Sequence, residues 1–436
     1  MGAGIHAGRA RMTVSVIFSR FDFPLLKGRM LKPLQWCVIL IGVSVPVSVA
    51  LDNVLLALLL LGALFGLGSI SRIAVSHPVA RASALLFFAL LVAMFYGATP
   101  LAGAFSILGK YADLLFVPVF IFLLTDQAAS RNARRAFMAA MAITLALSYL
   151  LGTGMLQAQP WMNRIASVSN PVIFHSHITQ NNMMAFAVFL ALLEAREAVM
   201  RARLAWGIFA LLGMFNVLFM VQGRTGYLVL LVLLGWFAWT TLARRVRRQG
   251  KRWGWKQGLL VVTVLTVAVS VAYQGSQRLH DRVTLVVSEY QDWREGKSDA
   301  ASSTGQRLSF YSNTLEILKD SPLLGVGTGG FPAAFAQQVQ GTAVLPTHNP
   351  HNEYLMVAAQ TGIVGLALLL YLFYTLWRTA PRLPIAFEQD AARGLVLAYL
   401  VNCSLNSALL DHSDGLFFAF MTALLFANLK QEAKHD

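Results

Sequence analysis

Long apolar runs recur along almost the whole chain, and they restrict the folds that it can adopt. A segment of about 20 mostly apolar residues has the length and polarity of a helix that crosses a bilayer. Only 13% of the 436 residues are charged, whereas an ordinary soluble domain has about 25% charged residues. The sequence therefore predicts an all-α polytopic membrane protein with about 12 transmembrane helices. The twelve runs are 34–50, 53–70, 80–97, 112–126, 134–152, 178–195, 204–221, 226–243, 257–274, 351–377, 391–409 and 412–429.

The basic residues between these runs predict the orientation of the chain. If the N-terminus is cytoplasmic and the spans alternate, 26 of the 35 Lys and Arg residues fall on the cytoplasmic side. Cytoplasmic loops are enriched in Lys and Arg, so both termini are expected in the cytoplasm. Residues 1–32 carry six basic residues and no apolar core, which predicts an uncleaved first span. Topology explains the net charge of +15, so we predict no nucleic-acid partner.

The polar residues are concentrated in one long segment on the outer side. This segment divides the chain into residues 1–274 with about nine spans, the loop 275–350, and residues 351–436 with about three spans. Within the loop, leucines and a tyrosine recur at helical spacing over Arg307–Asp320. This spacing predicts an amphipathic helix at the outer membrane surface. The glycines that follow, at positions 325, 327, 329 and 330, lack the ending of a phosphate loop and predict a flexible turn.

Three cations at the outer membrane edge are candidates for binding an anion. Arg224 lies in the short link Gly223-Arg224-Thr225-Gly226 between two apolar runs, where the headgroup of a lipid pyrophosphate would lie. Arg307 begins the amphipathic helix, and its side chain and the helix N-terminus both favour an anion. Lys110 is a weaker third cation before the fourth run. The alternative for Arg224 is an interfacial arginine paired with ordinary lipid phosphate.

A histidine-rich segment closes the loop and begins an apolar helix. His351-Asn352 is followed after nine residues by Gly362 and after two more by Gly365. At 3.6 residues per turn these positions fall on one helix face, where the glycines would let a neighbouring helix approach closely. A histidine is suited to act as a general base near neutral pH. His348 is the rival base within the same segment, and the alternative is a pair of solvated histidines before a helix capped by Asn349.

Another polar segment enters the sixth run from outside. His175 and Gln180 belong to it and either line a sugar-accepting cleft or cap the helix. The two histidines of this segment, His175 and His177, are two residues apart and form a poor metal pair. Cys37 and Cys403 lie inside apolar runs and predict neither a disulfide nor a metal ligand. We predict no metal and no cofactor.

One base and two or three cations at a membrane edge suit a particular reaction. A glycosyl pyrophosphate already carries a good leaving group, so its reaction needs cations to stabilise the departing charge more than it needs a general acid. The attacking hydroxyl group needs a base to accept its proton. The sequence lacks the Asp-x-Asp motif, the Walker loop and the Gly-x-Ser-x-Gly elbow, which disfavours a soluble sugar-nucleotide transferase, an ATPase and a serine hydrolase.

The His351-Asn352-x9-Gly362-x2-Gly365 pattern resembles that of the O-antigen ligases, within the O-antigen ligase/polymerase superfamily. The Gly-Arg-Thr-Gly link at Arg224 and the segment from Arg307 to Phe331 are similar to other signatures of the family. The resemblance implies a metal-independent inverting glycosyltransferase of the bacterial inner membrane whose active site faces the periplasm. Its donor would be a glycan on undecaprenyl pyrophosphate, its acceptor the lipid A–core oligosaccharide, and membrane lipids would surround it.

The resemblance also implies roles for individual residues. His351 would deprotonate the acceptor hydroxyl, and Arg224 and Arg307, with Lys110, would hold the pyrophosphate. Asn352 would orient His351 or contact sugar. Three alternatives stay open: an O-antigen polymerase, a protein O-oligosaccharyltransferase and a polytopic transporter. A transporter would place polar groups near the membrane midplane, whereas here they gather at the outer edge.

Overall fold

A computed structural model describes residues 24–250, 277–295 and 302–429, with a few single residues between 258 and 274. The ninth predicted run, 257–274, therefore lies almost wholly outside the described residues. The described part is built from α-helices joined by turns, with one isolated bridge between Ser167 and Asn170. The helices are α1 (Pro24–Ser44), α2 (Val49–Ala63), α3 (Leu67–Ser76), α4 (Pro78–Ala93), α5 (Leu101–Lys110), α6 (Asp113–Leu124), α7 (Gln127–Gly152), α8 (His177–Glu197), α9 (Met200–Phe215), α10 (Arg224–Arg248), α11 (Gln277–Arg294), α12 (Ser303–Asp320), α13 (Phe331–Gln338), α14 (Glu353–Thr379), α15 (Ala386–Leu405) and α16 (His412–Phe426). Short 3₁₀ turns cover Leu64–Gly66 and Ala380–Arg382, and a π turn covers Asn216–Met220.

The helices have the lengths and compositions expected of a polytopic membrane protein. Among the described residues, six are long and apolar enough to cross a membrane, and the bent pair α5–α6 adds a seventh if it forms one span. The six are Val49–Ser76, Gln127–Gly152, His177–Glu197, Met200–Met220, Arg224–Arg248 and Glu353–Arg382. Three further apolar helices are shorter: Met30–Ser44, Pro78–Ala93 and His412–Phe426. The predicted all-helical class is thus observed, while the number of twelve spans and their orientation stay predictions.

Helices α8 and α16 lie at the centre of the bundle. Side chains on every face of α8 are buried between Thr179 and Ala191, and α16 is buried from Ser413 to Phe426. A helix that is apolar and buried all round belongs to the core rather than to a lipid-facing surface. Helix α8 packs against α9 and α10, which precede the loop 275–350, and against α15, which follows it.

The glycine-rich segment after α12 forms the predicted turn, and its backbone is hydrogen-bonded to α14. Gly325, Gly327 and Gly329 have φ values of 67°, 87° and 83°, a left-handed conformation that side chains disfavour. The backbone N–H groups of Val326 and Gly327 donate to the carbonyls of Ala359 and Gln360 in α14, at 2.8 and 3.0 Å. These bonds fix the end of the loop against the span.

Gly362 is the residue of α14 against which this loop segment packs. Its φ of 64° and ψ of −161° interrupt the helix, and a Cβ atom there would lie 2.1 Å from the carbonyl oxygen of Leu323. The close neighbour is therefore the loop backbone, not the helix predicted from the glycine spacing. The helix predicted over Arg307–Asp320 is confirmed as α12, which begins slightly earlier at Ser303. Leu315 of the predicted apolar stripe is exposed whereas Ile317 is buried, and the position at the outer membrane surface stays a prediction.

Candidate functional site

Arg224 is the first residue of α10, directly after the N-cap residue Gly223. The start of α10 lies close against α8, since Cβ atoms on Gly223 and Gly226 would come within 2.6 and 2.5 Å of the Asn181 side chain. Only glycine permits this approach without displacing Asn181, which is buried and donates to the Val221 carbonyl. The glycines around Arg224 therefore place its guanidinium at the end of the bundle.

Arg224 and Arg307 line the same pocket, as the sequence predicted of two cations that bind one anion. The pocket has a volume of about 350 Å³ and lies between the starts of α8 and α10 and the loop helices. Its lining residues are His177, Ile178, Gln222, Gly223, Arg224, Thr225, Leu285 and Arg307. We call it the cation pocket.

Burial lowers the pKa of the Arg307 guanidinium, and the nearby charge of Arg224 acts in the same direction. Arginine nevertheless stays charged at physiological pH.

The loop helices hold Arg224 from the other side. Its Nη1 atom donates to the Thr304 hydroxyl at 3.2 Å and lies 3.8 Å from Oε2 of Glu289. Among the described residues, no carboxylate forms an ion pair with Arg307. The pocket therefore presents more positive than negative charge, which suits an anionic ligand.

His351 lies just outside α14, because the helix begins at Glu353 and its N-cap residue is Asn352, whose side chain accepts from Leu355 N at 3.0 Å. This corrects two predictions. Asn349 does not cap the helix, and His351, Gly362 and Gly365 do not share one helix face. The φ of His351 is 56°, and among the described residues it is the non-glycine residue with a positive φ. Such backbone strain, of about 1–3 kcal/mol, is typical of functional sites.

Asn349 holds His351 in this conformation. Its Oδ1 atom accepts from the His351 backbone N–H at 2.7 Å and from the Ser407 hydroxyl at 2.6 Å. Asn352 donates to the Ser404 carbonyl at 3.0 Å. The histidine segment is thereby tied to the turn between α15 and α16. The Asn-Pro-His sequence, typical of an Asx turn, was the available sign of the role of Asn349.

Glu353 connects the same region to two more elements. It is fully buried and accepts from the Tyr111 hydroxyl at 2.9 Å and from the backbone N–H of Leu409 at 2.8 Å. A buried carboxylate that lost these donors would be destabilising, so the three groups hold the end of α5, the start of α14 and the α15–α16 turn together. No pattern in the sequence pointed to this role of Glu353.

One face of α12 contacts His351. Arg307, Phe310 and Tyr311 are three and four residues apart, so their side chains project from the same side of the helix. The Phe310 ring stacks on the imidazole of His351, with 6.3 Å between centroids and 25° between planes. The Tyr311 hydroxyl donates to the His351 carbonyl at 3.3 Å. Burial lowers the pKa of His351, and the charge of Arg307 lowers it further. The imidazole is therefore neutral at pH 7, the form that accepts a proton.

The remaining predicted residues lie elsewhere. Lys110 is exposed at the end of α5 and does not line the cation pocket, and His348 is exposed. His175 is buried, its Nδ1 lies 3.3 Å from the Ser413 hydroxyl, and burial lowers its pKa. Gln180 accepts from the Ile173 N–H at 2.7 Å, which ties the chain before α8 to that helix. Where the structure is described, no group of three or more His, Cys, Asp or Glu residues is arranged to bind a metal ion.

Two comparisons with known proteins bear on this site. A search among curated proteins found no match to the chain. Residues 209–370 match the family model of the O-antigen ligases. The matched region includes Arg224, Arg307 and His351, together with the loop helices between them. This match supports membership of the chain in the O-antigen ligase/polymerase superfamily, whose members are glycosyltransferase-like membrane proteins of lipopolysaccharide biosynthesis.

Proposed function

We propose that this protein is an O-antigen ligase of the bacterial inner membrane, with its active site on the periplasmic face. It transfers O-antigen polysaccharide from undecaprenyl pyrophosphate to a sugar of the lipid A–core oligosaccharide. The observation that supports this most is the cation pocket: two arginines line one cavity, and Arg307 shares a face of α12 with Phe310, whose ring stacks on the half-buried His351.

In this reaction His351 acts as the general base. The acceptor hydroxyl gives its proton to the imidazole while its oxygen attacks the anomeric carbon of the donor. The bond between that carbon and the pyrophosphate oxygen breaks, and the configuration inverts. Stacking on Phe310 fixes the plane of the imidazole, and the lowered pKa keeps it unprotonated. Base catalysis of this kind contributes about 10²–10⁴ in rate.

Arg224 and Arg307 bind the pyrophosphate of the donor and stabilise the charge that develops as it leaves. Two guanidinium groups already positioned in one pocket stabilise such a charge more than water does, since they need little reorganisation during the reaction. Lys110 is exposed at the neighbouring end of α5, and we propose it as an additional contact to the donor outside the pocket. We propose His348, His175 and Gln180 as contacts to sugar.

The test is transfer in a host that lacks its own ligase, supplied with the matching glycan and core. We expect the wild-type chain to restore a lipopolysaccharide ladder on lipid A–core and His351→Ala to remove it at equal membrane abundance. His348→Ala tests the rival histidine of the same segment, which is exposed. Because we propose His348 only as a contact to sugar and not as the base, its variant is expected to weaken the ladder without removing it. A ladder in His351→Ala would overturn the assignment of the base. A wild-type chain that instead lengthens lipid-linked glycan would identify a polymerase.

A further inference from the structure

Glu289 is in an unusual position for an acidic residue. Most described side chains of α11 are exposed, including Leu285, Val287 and Tyr290, whereas Glu289 is the one that is buried, at 9% exposure. Charged side chains are seldom buried unless they are paired. The helix therefore buries its acid more completely than any of its other described side chains.

The partners of Glu289 belong to the cation pocket. Its Oε2 atom accepts from the backbone N–H of Thr304, in the first turn of α12, at 3.3 Å and lies 3.8 Å from Nη1 of Arg224. The same Nη1 donates to the Thr304 hydroxyl at 3.2 Å. An arginine and the N-terminus of a helix together favour an anion. The carboxylate of Glu289 already lies between these two groups, the Arg224 guanidinium and the N-terminus of α12.

The packing of α11 holds this carboxylate in place. Leu285, Glu289 and Trp293 are four residues apart and lie on one face of the helix. Leu285 lines the cation pocket, and the indole N–H of Trp293 donates to the Ser309 hydroxyl of α12 at 3.0 Å. The contact of Glu289 with Arg224 is long for an ion pair, so a stronger anion can displace it without breaking the contact between α11 and α12.

We propose that Glu289 is a specificity-determining residue that competes with the ligand of the cation pocket. When no donor is bound, its carboxylate takes the place of one phosphate group at Arg224 and the start of α12. The pyrophosphate of the donor displaces it. This inference rests on the proposed function, because it assumes that Arg224 and Arg307 bind a pyrophosphate.

Competition by Glu289 would keep the single phosphate groups of ordinary phospholipids out of the cation pocket. Ordinary phospholipids present single phosphate groups at high local concentration beside Arg224. Every anion that binds Arg224 must displace this internal carboxylate, so the carboxylate raises the concentration at which any of them occupies the pocket. A pyrophosphate that contacts both Arg224 and Arg307 keeps useful affinity despite this competition, whereas a single phosphate does not.

Binding of two probes to the purified full-length protein tests the proposal. Inorganic pyrophosphate and inorganic phosphate are titrated by calorimetry into the wild type, Glu289→Gln and Asp292→Asn. Asp292 is exposed on the same helix, so its variant changes the net charge equally without touching the pocket. We expect Glu289→Gln to tighten pyrophosphate binding about five-fold and Asp292→Asn to change it little. Phosphate binding is expected to become measurable in Glu289→Gln and to disappear when Arg224→Gln is added.

Each result supports or overturns one of the two proposals. Equal affinities in Glu289→Gln and Asp292→Asn would overturn the role of Glu289 while leaving the pocket intact. Pyrophosphate binding that survives Arg224→Gln unchanged would instead overturn the cation pocket, and with it the proposed function. If Glu289→Gln does not fold, Glu289→Asp shortens the acid by one methylene and is expected to tighten pyrophosphate binding to a smaller extent. An unchanged affinity in that variant also counts against the proposal.

Discussion

Helix α10 has Arg224 at its start and Arg244 near its end, and the two arginines have different partners. Arg244 lies 20 residues after Arg224, which separates them by about 30 Å along the helix. At the far end Arg244 and Arg196 both contact Oδ2 of Asp390, at 2.6 and 2.7 Å. At the near end Arg224 is 3.8 Å from its carboxylate, and Arg307 has no carboxylate partner among the described residues.

Arg196 and Arg244 have close carboxylate partners, which is typical of arginines that stabilise a fold. Arg224 and Arg307 lack such close partners among the described residues, which is typical of arginines that bind a ligand. Asp390 pairs with arginines of two helices, and a second carboxylate, Glu197, lies 3.4 Å from Arg196 and 3.9 Å from Arg244. Arg244 also donates to the Ala386 carbonyl at 2.8 Å. These groups satisfy one another and leave little capacity for an external anion. In the cation pocket Arg224 and Arg307 share a cavity, and Glu289 lies 3.8 Å from Arg224. Under the proposed function, an anionic ligand completes the charge balance there.

The largest expected effect follows from this contrast. Arg224→Gln is expected to lower kcat/KM for transfer about 10²–10³-fold, because a group that stabilises the leaving charge is lost. Arg196→Gln is expected to destabilise the fold by about 3 kcal/mol, because Asp390 loses one of its two partners. Thermal unfolding in detergent and in vitro transfer per folded molecule measure the two effects. If Arg196→Gln lowers the activity of folded protein as much as Arg224→Gln does, the contrast between the ends is wrong.

A smaller effect is expected at the segment that positions His351. Asn349→Ala removes the acceptor that holds the His351 backbone N–H and the Ser407 hydroxyl. A misplaced base reacts more slowly, so kcat is expected to fall about ten-fold or more while KM for the donor stays close to the wild-type value. Asn349→Asp keeps an oxygen at the same place and should retain most of the activity. A rise in KM without a fall in kcat would contradict the positioning role.

The smallest effect concerns pH. Burial and Arg307 lower the pKa of His351, so the wild-type base stays neutral below its ordinary pKa of about 6.5. The rate falls only as the pH drops through the lowered pKa and the imidazole becomes protonated. Arg307→Gln removes one of the two causes, so the pKa rises and the acid limb of the pH profile of kcat/KM moves to higher pH. Arg307→Lys keeps the charge and serves as the control. Identical acid limbs in the wild type and Arg307→Gln would exclude this coupling.

Much of the fold could be read from the sequence because it depends on local composition. Apolar runs of sufficient length form helices in a membrane wherever they occur in a chain. Helical spacing of leucines between Arg307 and Asp320 was enough to predict α12. The number of spans was harder to obtain, since α15 contains Glu388, Asp390 and Arg393 among its apolar residues. Helix α14 begins at Glu353, two residues after the start of the predicted run, because His351 has a positive φ and its backbone N–H is bonded to Asn349.

For the site, residue type and spacing in the sequence identified Arg224, Arg307 and His351 as candidates, since ionisable groups avoid the middles of the apolar runs and gather at their outer edges. Only the tertiary structure decided which of them meet. It brought Arg224 and Arg307 to one pocket and stacked His351 on Phe310, while it left Lys110 outside the pocket and buried His175 beside Ser413. It also placed Glu289 against Arg224, 65 residues earlier in the chain. Contacts between residues so far apart in the sequence depend on how the helices pack. A local pattern of residues carries no information about that packing.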